Sequence, residues 1–273
     1  MDARQKAGMA GERRRFNLVL AGAELAIALR RALVGFAWLA LATGPAAAIV
    51  GGAPFADQAI ARYVVLIVGA HHLCTGVAIG LDLVLTAAHC VPNSGKYRLL
   101  TFEGRRAVVT DVASVAAHPQ FSPRADAPDL ALVKLGAPAP NLMPVVFSER
   151  RTPPSLGDRF IVAGFGVGVQ GDRKIAGKLR AATLVAADRP NSQQLTLIDP
   201  QKLGEAAGFG VCNGDSGGPV LDERDRALVG IVSWSARTDG EPICGFMSGV
   251  IPLARYRYWI LETAARLGSP LAP

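Results

Sequence analysis

The sequence predicts an all-β protein that closes on a single C-terminal helix, and three observations carry that expectation. After Ile49 the chain is a succession of short segments rich in Val, Ile and Leu, separated by Gly, Pro and Asp. That is the pattern of strands joined by turns in a sandwich or barrel. Near its middle the succession is broken by the polar stretch 148–159, which carries Pro153 and Pro154 side by side. Proline cannot donate to a strand ladder, so this stretch reads as a boundary between two all-β units, 49–150 and 151–273. A helical period is clear only near the end, where Ala254, Tyr258, Ile260, Leu261 and Ala264 are expected to share one amphipathic face.

Residues 1–48 read as an export leader. Arg13, Arg14, Arg15, Arg30 and Arg31 precede an apolar run, Ala32 to Thr43, which is followed by Gly44, Pro45 and the small residues Ala46, Ala47 and Ala48. This is the three-part plan of a secretory signal peptide, and the apolar run is well short of the ~20 residues that span a bilayer. Arg13-Arg14-Arg15-Phe16-Asn17-Leu18 is similar to a twin-arginine export motif, although Glu24 interrupts the apolar stretch after it. The export route stays open; the expected destination is secreted or periplasmic. A retained leader would instead tether the protein to a membrane.

The expected strands then follow in order: "YVVLIVG", "GVAIGLDLVLTAA", "RAVVTDVASVAA", "LALVKL", "RFIVAGFG" and "ALVGIVSW". Each is apolar, β-branched in part, and bounded by turn formers. "GFGVG" (164–168) follows a strand, but no helix opens after it, so it reads as a β-turn rather than a nucleotide loop.

Net charge is +7, but the leader holds seven Lys/Arg against three Asp/Glu. Residues 49–273 keep 22 Lys/Arg against 19 Asp/Glu, or +3, with no basic cluster interleaved with aromatics, which argues against a nucleic-acid partner. Four cysteines, an even number, suit an oxidising compartment and allow three pairings. None forms a Cys-x-x-Cys pair, and His71 and His72, adjacent on a strand, would face opposite ways, so no metal site is expected.

Three short motifs carry chemistry. "GDSGGP" (214–219) sets Ser216 among glycines that let the backbone turn sharply and let a ligand approach closely. It can aim the amides of Gly214 and Ser216 at one point, as an oxyanion hole requires. "LTAAHC" (85–90) places His89 at the end of an apolar segment, and "DLALVKL" places Asp129 at the mouth of another. Singly, the histidine reads as structural and the aspartate as a turn residue. Together they supply a hydroxyl, an imidazole to take its proton and a carboxylate to fix the imidazole tautomer.

With these motifs the chain resembles the chymotrypsin-like, trypsin-fold serine proteases, and it is expected to be a secreted member of bacterial type. The matches are Ile49-Val50-Gly51-Gly52, Thr86 to Cys90, Asp129 to Val133, Gly214 to Pro219 and Ser233-Trp234, and the likeness runs over 49–265. It implies two antiparallel six-stranded β-barrels around a catalytic cleft, with a C-terminal helix. It implies Ser216 as nucleophile, His89 as general base and then acid, Asp129 as orienting carboxylate, and the Gly214 and Ser216 amides as oxyanion hole. It pairs Cys74 with Cys90 and Cys212 with Cys244, and has Ser233 bonding Asp129. The backbone of Ser233, Trp234 and Ser235 would pair with a polypeptide substrate as an added strand. No cofactor is implied; protein inhibitors are possible partners, and a monomer is expected. A catalytically silent binding protein of the same fold is the alternative, against which the complete His89, Asp129, Ser216 set argues.

The resemblance also bears on specificity and activation. Gly210, six residues before Ser216, stands where a carboxylate would hold Arg or Lys, and Ser235 stands where many relatives carry glycine. An uncharged, narrowed pocket for small or medium apolar side chains is the expectation, with Asp239 and Glu241 near enough in sequence to alter it. Other departures are Thr75 for a common glycine, Phe165 for a tryptophan, and Pro128 before Asp129. Relatives are activated by a cut before the isoleucine, whose new ammonium pairs with the aspartate before the nucleophile, here Asp215. The residue before Ile49 is Ala48, not Arg or Lys. A signal peptidase favouring Ala-x-Ala would therefore export and activate in one cut.

Overall fold

The computed structural model describes residues 49–272 except 71, 93–95, 104–105, 124–126, 140, 151, 153, 171–176, 188–193, 238 and 242. The leader with its arginines and its Ala48 cleavage site, and His71 of the histidine pair, lie outside the described residues.

Thirteen strands are described, all antiparallel within two sheets. The first holds β1 (Val64–Gly69), β2 (Leu73–Gly80), β3 (Leu83–Thr86), β4 (Tyr97–Glu103), β5 (Arg106–Thr110), β6 (Val112–Ala117) and β7 (Ala131–Leu135). Its order is β5-β4-β1-β2-β3-β7-β6. The second is a closed six-stranded barrel of β8 (Arg159–Gly164), β9 (Arg180–Ala186), β10 (Leu195–Ile198), β11 (Pro219–Asp222), β12 (Leu228–Ala236) and β13 (Met247–Pro252).

The first sheet differs from the expected six-stranded barrel: it has seven strands, with β5 and β6 at opposite ends of the order. One residue, Asp111, separates these two strands, and its carbonyl accepts from Gly136 (2.9 Å) just beyond β7. The expected single strand "RAVVTDVASVAA" thus breaks at Asp111, pairs with β4 before the break and with β7 after it, and curls the sheet back on itself.

Two apolar cores are described: the first lies against the first sheet and also takes in Ala163, Leu221, Ile231 and Ile251 from strands of the barrel, and the second lies inside the barrel. Val65, Ile67, Val77, Leu85, Leu99 and Leu132 are fully buried in the first, and Phe160, Val162, Leu184, Leu195 and Leu197 in the second. The two ends of the chain cross between them. Ile49 and Ala53 are buried in the second core, and the segment is held by the bridges Val50 to Gly210 and Phe55 to Arg180. The Arg180 guanidinium, over the Phe55 ring, donates to the Ala53 carbonyl. The short helix α1 (Gln58–Ala61), capped by Asp57, leads into β1.

At the other end, a 3-10 turn (Leu253–Tyr256) and helix α2 (Arg257–Arg266) bury Tyr256, Ile260 and Ala264 in the first core. The buried face is Tyr256, Ile260, Thr263 and Ala264, whereas Tyr258 is 79% exposed. This corrects the expected face. Tyr258 and Ile260 are two residues apart, about 200° around a helix of 3.6 residues per turn, so they cannot look the same way. Among the described residues no helix is long and apolar enough to cross a membrane.

Candidate active site

Strand pairing brings His89 and Asp129 together. β3 leaves the sheet at Thr86 opposite Ala131, where β7 enters it. A residue just after one and a residue just before the other must therefore be neighbours. His89 sits in the 3-10 turn Ala88–Cys90 that follows β3. Its Nδ1 lies 2.7 Å from Asp129 Oδ2, and its backbone amide donates to Asp129 Oδ1 at 3.0 Å. These two contacts fix Nδ1 as the protonated nitrogen facing the carboxylate and leave Nε2 for other partners. The imidazole itself is exposed, and Asp129 is buried.

Ser233 completes the carboxylate's shell through a break in register. β12 and β13 pair Val232 with Val250 and then Trp234 with Gly249, so Ser233 is the extra residue of a β-bulge. A bulge re-aims a side chain. Here the Ser233 hydroxyl donates to Asp129 Oδ2 at 2.7 Å, while its carbonyl is 3.5 Å from the Ser216 hydroxyl. Burial alone would raise the Asp129 pKa, but the His89 hydrogen bond and charge and the Ser233 hydroxyl together hold it below the usual carboxylate range.

Ser216 lies on the loop between β10 and β11. Gly214 at φ +100° and Gly217 at φ +81° take the left-handed backbone that turns this loop tightly. The amides of Asp215, Gly217 and Gly218 donate to Cys212, Val232 and Asp215 carbonyls. The amides of Gly214 and Ser216 have no acceptor among the described residues, so two donors flanking the Ser216 hydroxyl are free to bind a developing negative charge.

Directly behind the loop, Asp215 is completely buried. Its carboxylate accepts from Gly166 (2.8 Å), from Cys212 (2.9 Å) and from the Ile49 nitrogen. Burial pushes its pKa up to about 7, and the three backbone donors only partly oppose that. A β-carbon at Gly164 or Gly166 would come within 2.2 and 2.6 Å of this carboxylate. "GFGVG" is therefore more than a turn: its glycines form the wall of the Asp215 site. Nothing in the local sequence signals this, because Asp215 comes from 49 residues further along.

Cys74 pairs with Cys90 beside His89, and Cys212 with Cys244 beside Gly210. At Gly210 a β-carbon would lie 2.8 Å from Gly245 Cα, so the side-chain direction is closed by backbone. Next to it the buried Ser248 hydroxyl accepts from the Val211 amide at 3.2 Å, a buried polar group that the sequence motifs did not single out. Trp234 lies over Gly249, with its Nε1 donating to Gln194 at 2.8 Å, and Ser235 follows it half-buried. Asp239 and Glu241 are exposed and bound within their own loop by Arg237 (2.7 Å to Glu241).

Comparisons with known proteins agree with this arrangement. A family model for trypsin matches residues 49–260. Human "Serine protease 56" is 32% identical over 235 residues, 78% of this chain and 38% of that protein. "Trypsin iota" of Drosophila melanogaster is 29% identical, covering 79% of this chain and 88% of that one. The "Vitellin-degrading protease" of Bombyx mori is also 29% identical, over 72% and 78%. The chain spans well under half the length of the human relative and 35% of its mouse counterpart, but most of the two insect proteins. The solved structure of neuropsin, "a serine protease expressed in the limbic system of mouse brain", has the same fold, with a TM-score of 0.62 at 23% identity, over 77% of this chain and 98% of that one. The relatives named are animal proteins; the bacterial type is not among them. With the match over 49–260 and the two sheets built as described, the chain belongs to the trypsin family of serine endopeptidases.

Proposed function

We propose that the protein is a secreted or periplasmic serine endopeptidase that hydrolyses polypeptides through an acyl-enzyme formed on Ser216. The observation that carries this reading is the continuous polar chain His89–Asp129–Ser233–Ser216: the Asp129 carboxylate holds the imidazole and the Ser233 hydroxyl, and the Ser233 carbonyl lies 3.5 Å from the Ser216 hydroxyl, which stands between two amides without an acceptor among the described residues. Ser216 Oγ attacks the scissile carbonyl carbon, and its proton passes to His89 Nε2. Asp129 holds the other imidazole nitrogen and stabilises the cation that forms. The carbonyl oxygen becomes an oxyanion received by the Gly214 and Ser216 amides. His89 then gives its proton to the departing amine nitrogen. Water, deprotonated by the same imidazole, cleaves the ester and returns the hydroxyl to Ser216. The substrate backbone pairs with Ser233 to Ser235 as an added strand.

The pocket takes small or medium apolar side chains. Gly210 offers no carboxylate, Gly245 fills the space in which one would stand, and Asp239 and Glu241 are engaged by Arg237. A buried cation there would lack a partner. Activation follows from the Ile49 nitrogen, which already donates to Asp215. A cut after Ala48 turns that amide into an ammonium and the hydrogen bond into an ion pair, so export and activation are one event.

Labelling by a fluorophosphonate tests the reading. The form beginning at Ile49 takes one label, Ser216→Ala takes none, and a wild-type form with a free Ile49 terminus that stays unlabelled refutes it in favour of a silent binding protein.

A further inference from the structure

We infer that Thr75 is a positioning residue for the oxyanion hole; this rests on the reading of Gly214 and Ser216 as its donors. Thr75 lies in β2 of the first sheet, whereas the nucleophile loop belongs to the second barrel. It is completely buried and makes four hydrogen bonds. Its hydroxyl donates to the Gly214 carbonyl at 2.8 Å and accepts from the Phe165 amide at 3.0 Å. Its amide donates to the Ser216 carbonyl at 2.8 Å, and its own carbonyl accepts from the buried Thr86 hydroxyl at 2.8 Å. Both residues whose amides are left free thus have their carbonyls held by one residue of the other sheet.

That convergence sets direction as well as distance. A peptide unit is planar, so its carbonyl and amide turn together. The Gly214 carbonyl shares its plane with the Asp215 amide and the Ser216 carbonyl with the Gly217 amide, so holding both carbonyls fixes the peptides on either side of the Asp215–Ser216 unit that carries the free Ser216 amide, and anchors the Cα of Gly214 from which its own free amide is aimed. Gly214, at φ +100° and without a β-carbon, has the greatest freedom to reorient, so the hydroxyl restrains the residue most in need of it. The same hydroxyl accepts from Phe165, the neighbour of Gly166, whose amide holds Asp215. Thr75 therefore links the Asp215 wall to the hole through a single oxygen.

Without the hydroxyl, the Gly214 carbonyl and the Phe165 amide both lose a partner in a buried place, where an unpaired polar group is costly. The loop would then rotate toward other acceptors and misaim its free amides. Removing a donor of an oxyanion hole outright costs about 10²–10³ in kcat, so loosening one is expected to cost less, on the order of 10–10².

The test is kinetic, on the form that begins at Ile49, with a chromogenic peptide substrate and a peptide boronic acid as transition-state analogue. Thr75→Val is expected to lower kcat about 10- to 100-fold with KM within about threefold, and to weaken the boronic acid by the same factor as kcat. Thr75→Ser, which restores the hydroxyl, is expected to return both to within about threefold of wild type. Should the valine variant fail to fold, Thr75→Ala removes the same oxygen without placing a second methyl against the Gly214 carbonyl, and is read identically. A folded variant lacking the hydroxyl that keeps wild-type kcat and boronic-acid affinity overturns the inference, as does a loss that serine does not restore. An unlabelled wild type overturns the parent reading instead, so the two failures are distinct.

Discussion

Cutting the chain after Ala48 should change how stability depends on pH, and the size of the change follows from Asp215. While Ile49 contributes only an amide, burial raises this carboxyl from 3.8 to about 7. An acid with a raised folded-state pKa binds its proton more tightly when folded. Its contribution is complete below pH 3.8 and is lost as pH rises through 7. About three pKa units at 1.36 kcal/mol each is about 4 kcal/mol, a large share of the ~5–15 kcal/mol that holds a domain folded. After the cut an ammonium stands where the amide stood. The carboxylate is then paired, and the loss between pH 5 and 8 should disappear. The assay is urea unfolding at pH 5 and pH 8 of the full chain carrying Ser216→Ala and of the same variant beginning at Ile49. From pH 5 to 7 is two units, so the uncut form should lose about 3 kcal/mol more than the cut form over this interval. Carboxyls held low in both forms, Asp129 among them, cancel in the difference. Asp215→Asn in the uncut chain should abolish the excess. Equal pH dependence in the two forms refutes the reasoning.

Three further outcomes are expected. Asp129→Asn should lower kcat by about 10⁴, the value known for this substitution in Ser-His-Asp triads rather than one worked out from this structure; steady-state hydrolysis of a peptide substrate checks it. Gly210→Asp should not create cleavage after Arg or Lys, because its β-carbon meets Gly245 Cα at 2.8 Å; the variant should unfold at lower temperature and show no basic preference on a peptide panel. Replacing Cys212 and Cys244 by serine opens a 32-residue loop and should cost about 3–4 kcal/mol in the chain-entropy account, measured by urea unfolding, with KM rising more than kcat falls because the pair flanks the pocket.

The parts of the site that were legible in the sequence are those that local motifs carry. Ser216, His89 and Asp129 each stand in a short run whose residue types serve the chemistry directly, and the runs of His89 and Asp129 end or begin at strands that pattern alone reveals. What was not legible depends on pairing. Ser233 reaches Asp129 because β12 slips by one residue against β13, and no property of "IVSWS" announces a bulge. The strands β10 and β11 have four residues each, too short for alternation to show, and β9 is rich in alanine, which favours no sheet. The wall that Gly164 and Gly166 make for Asp215, and the link that Thr75 makes to the loop carrying Ser216, join residues 49 to 141 positions apart. Local composition has no access to such contacts.

The crossing of the two chain ends makes the halves interdependent. A fragment ending near residue 150 would hold the first sheet but lack Tyr256, Ile260 and Ala264, whose side chains are buried in its core. The complementary fragment would close its barrel around a void where Ile49 and Ala53 belong. Burying one such isoleucine is worth about 1.5–3 kcal/mol, so each half lacks a material part of its own stability and finds it on the other. The two sheets therefore behave as a reciprocal graft, in which the segment that carries Ile49 and Ala53 belongs by sequence to one half and by packing to the other.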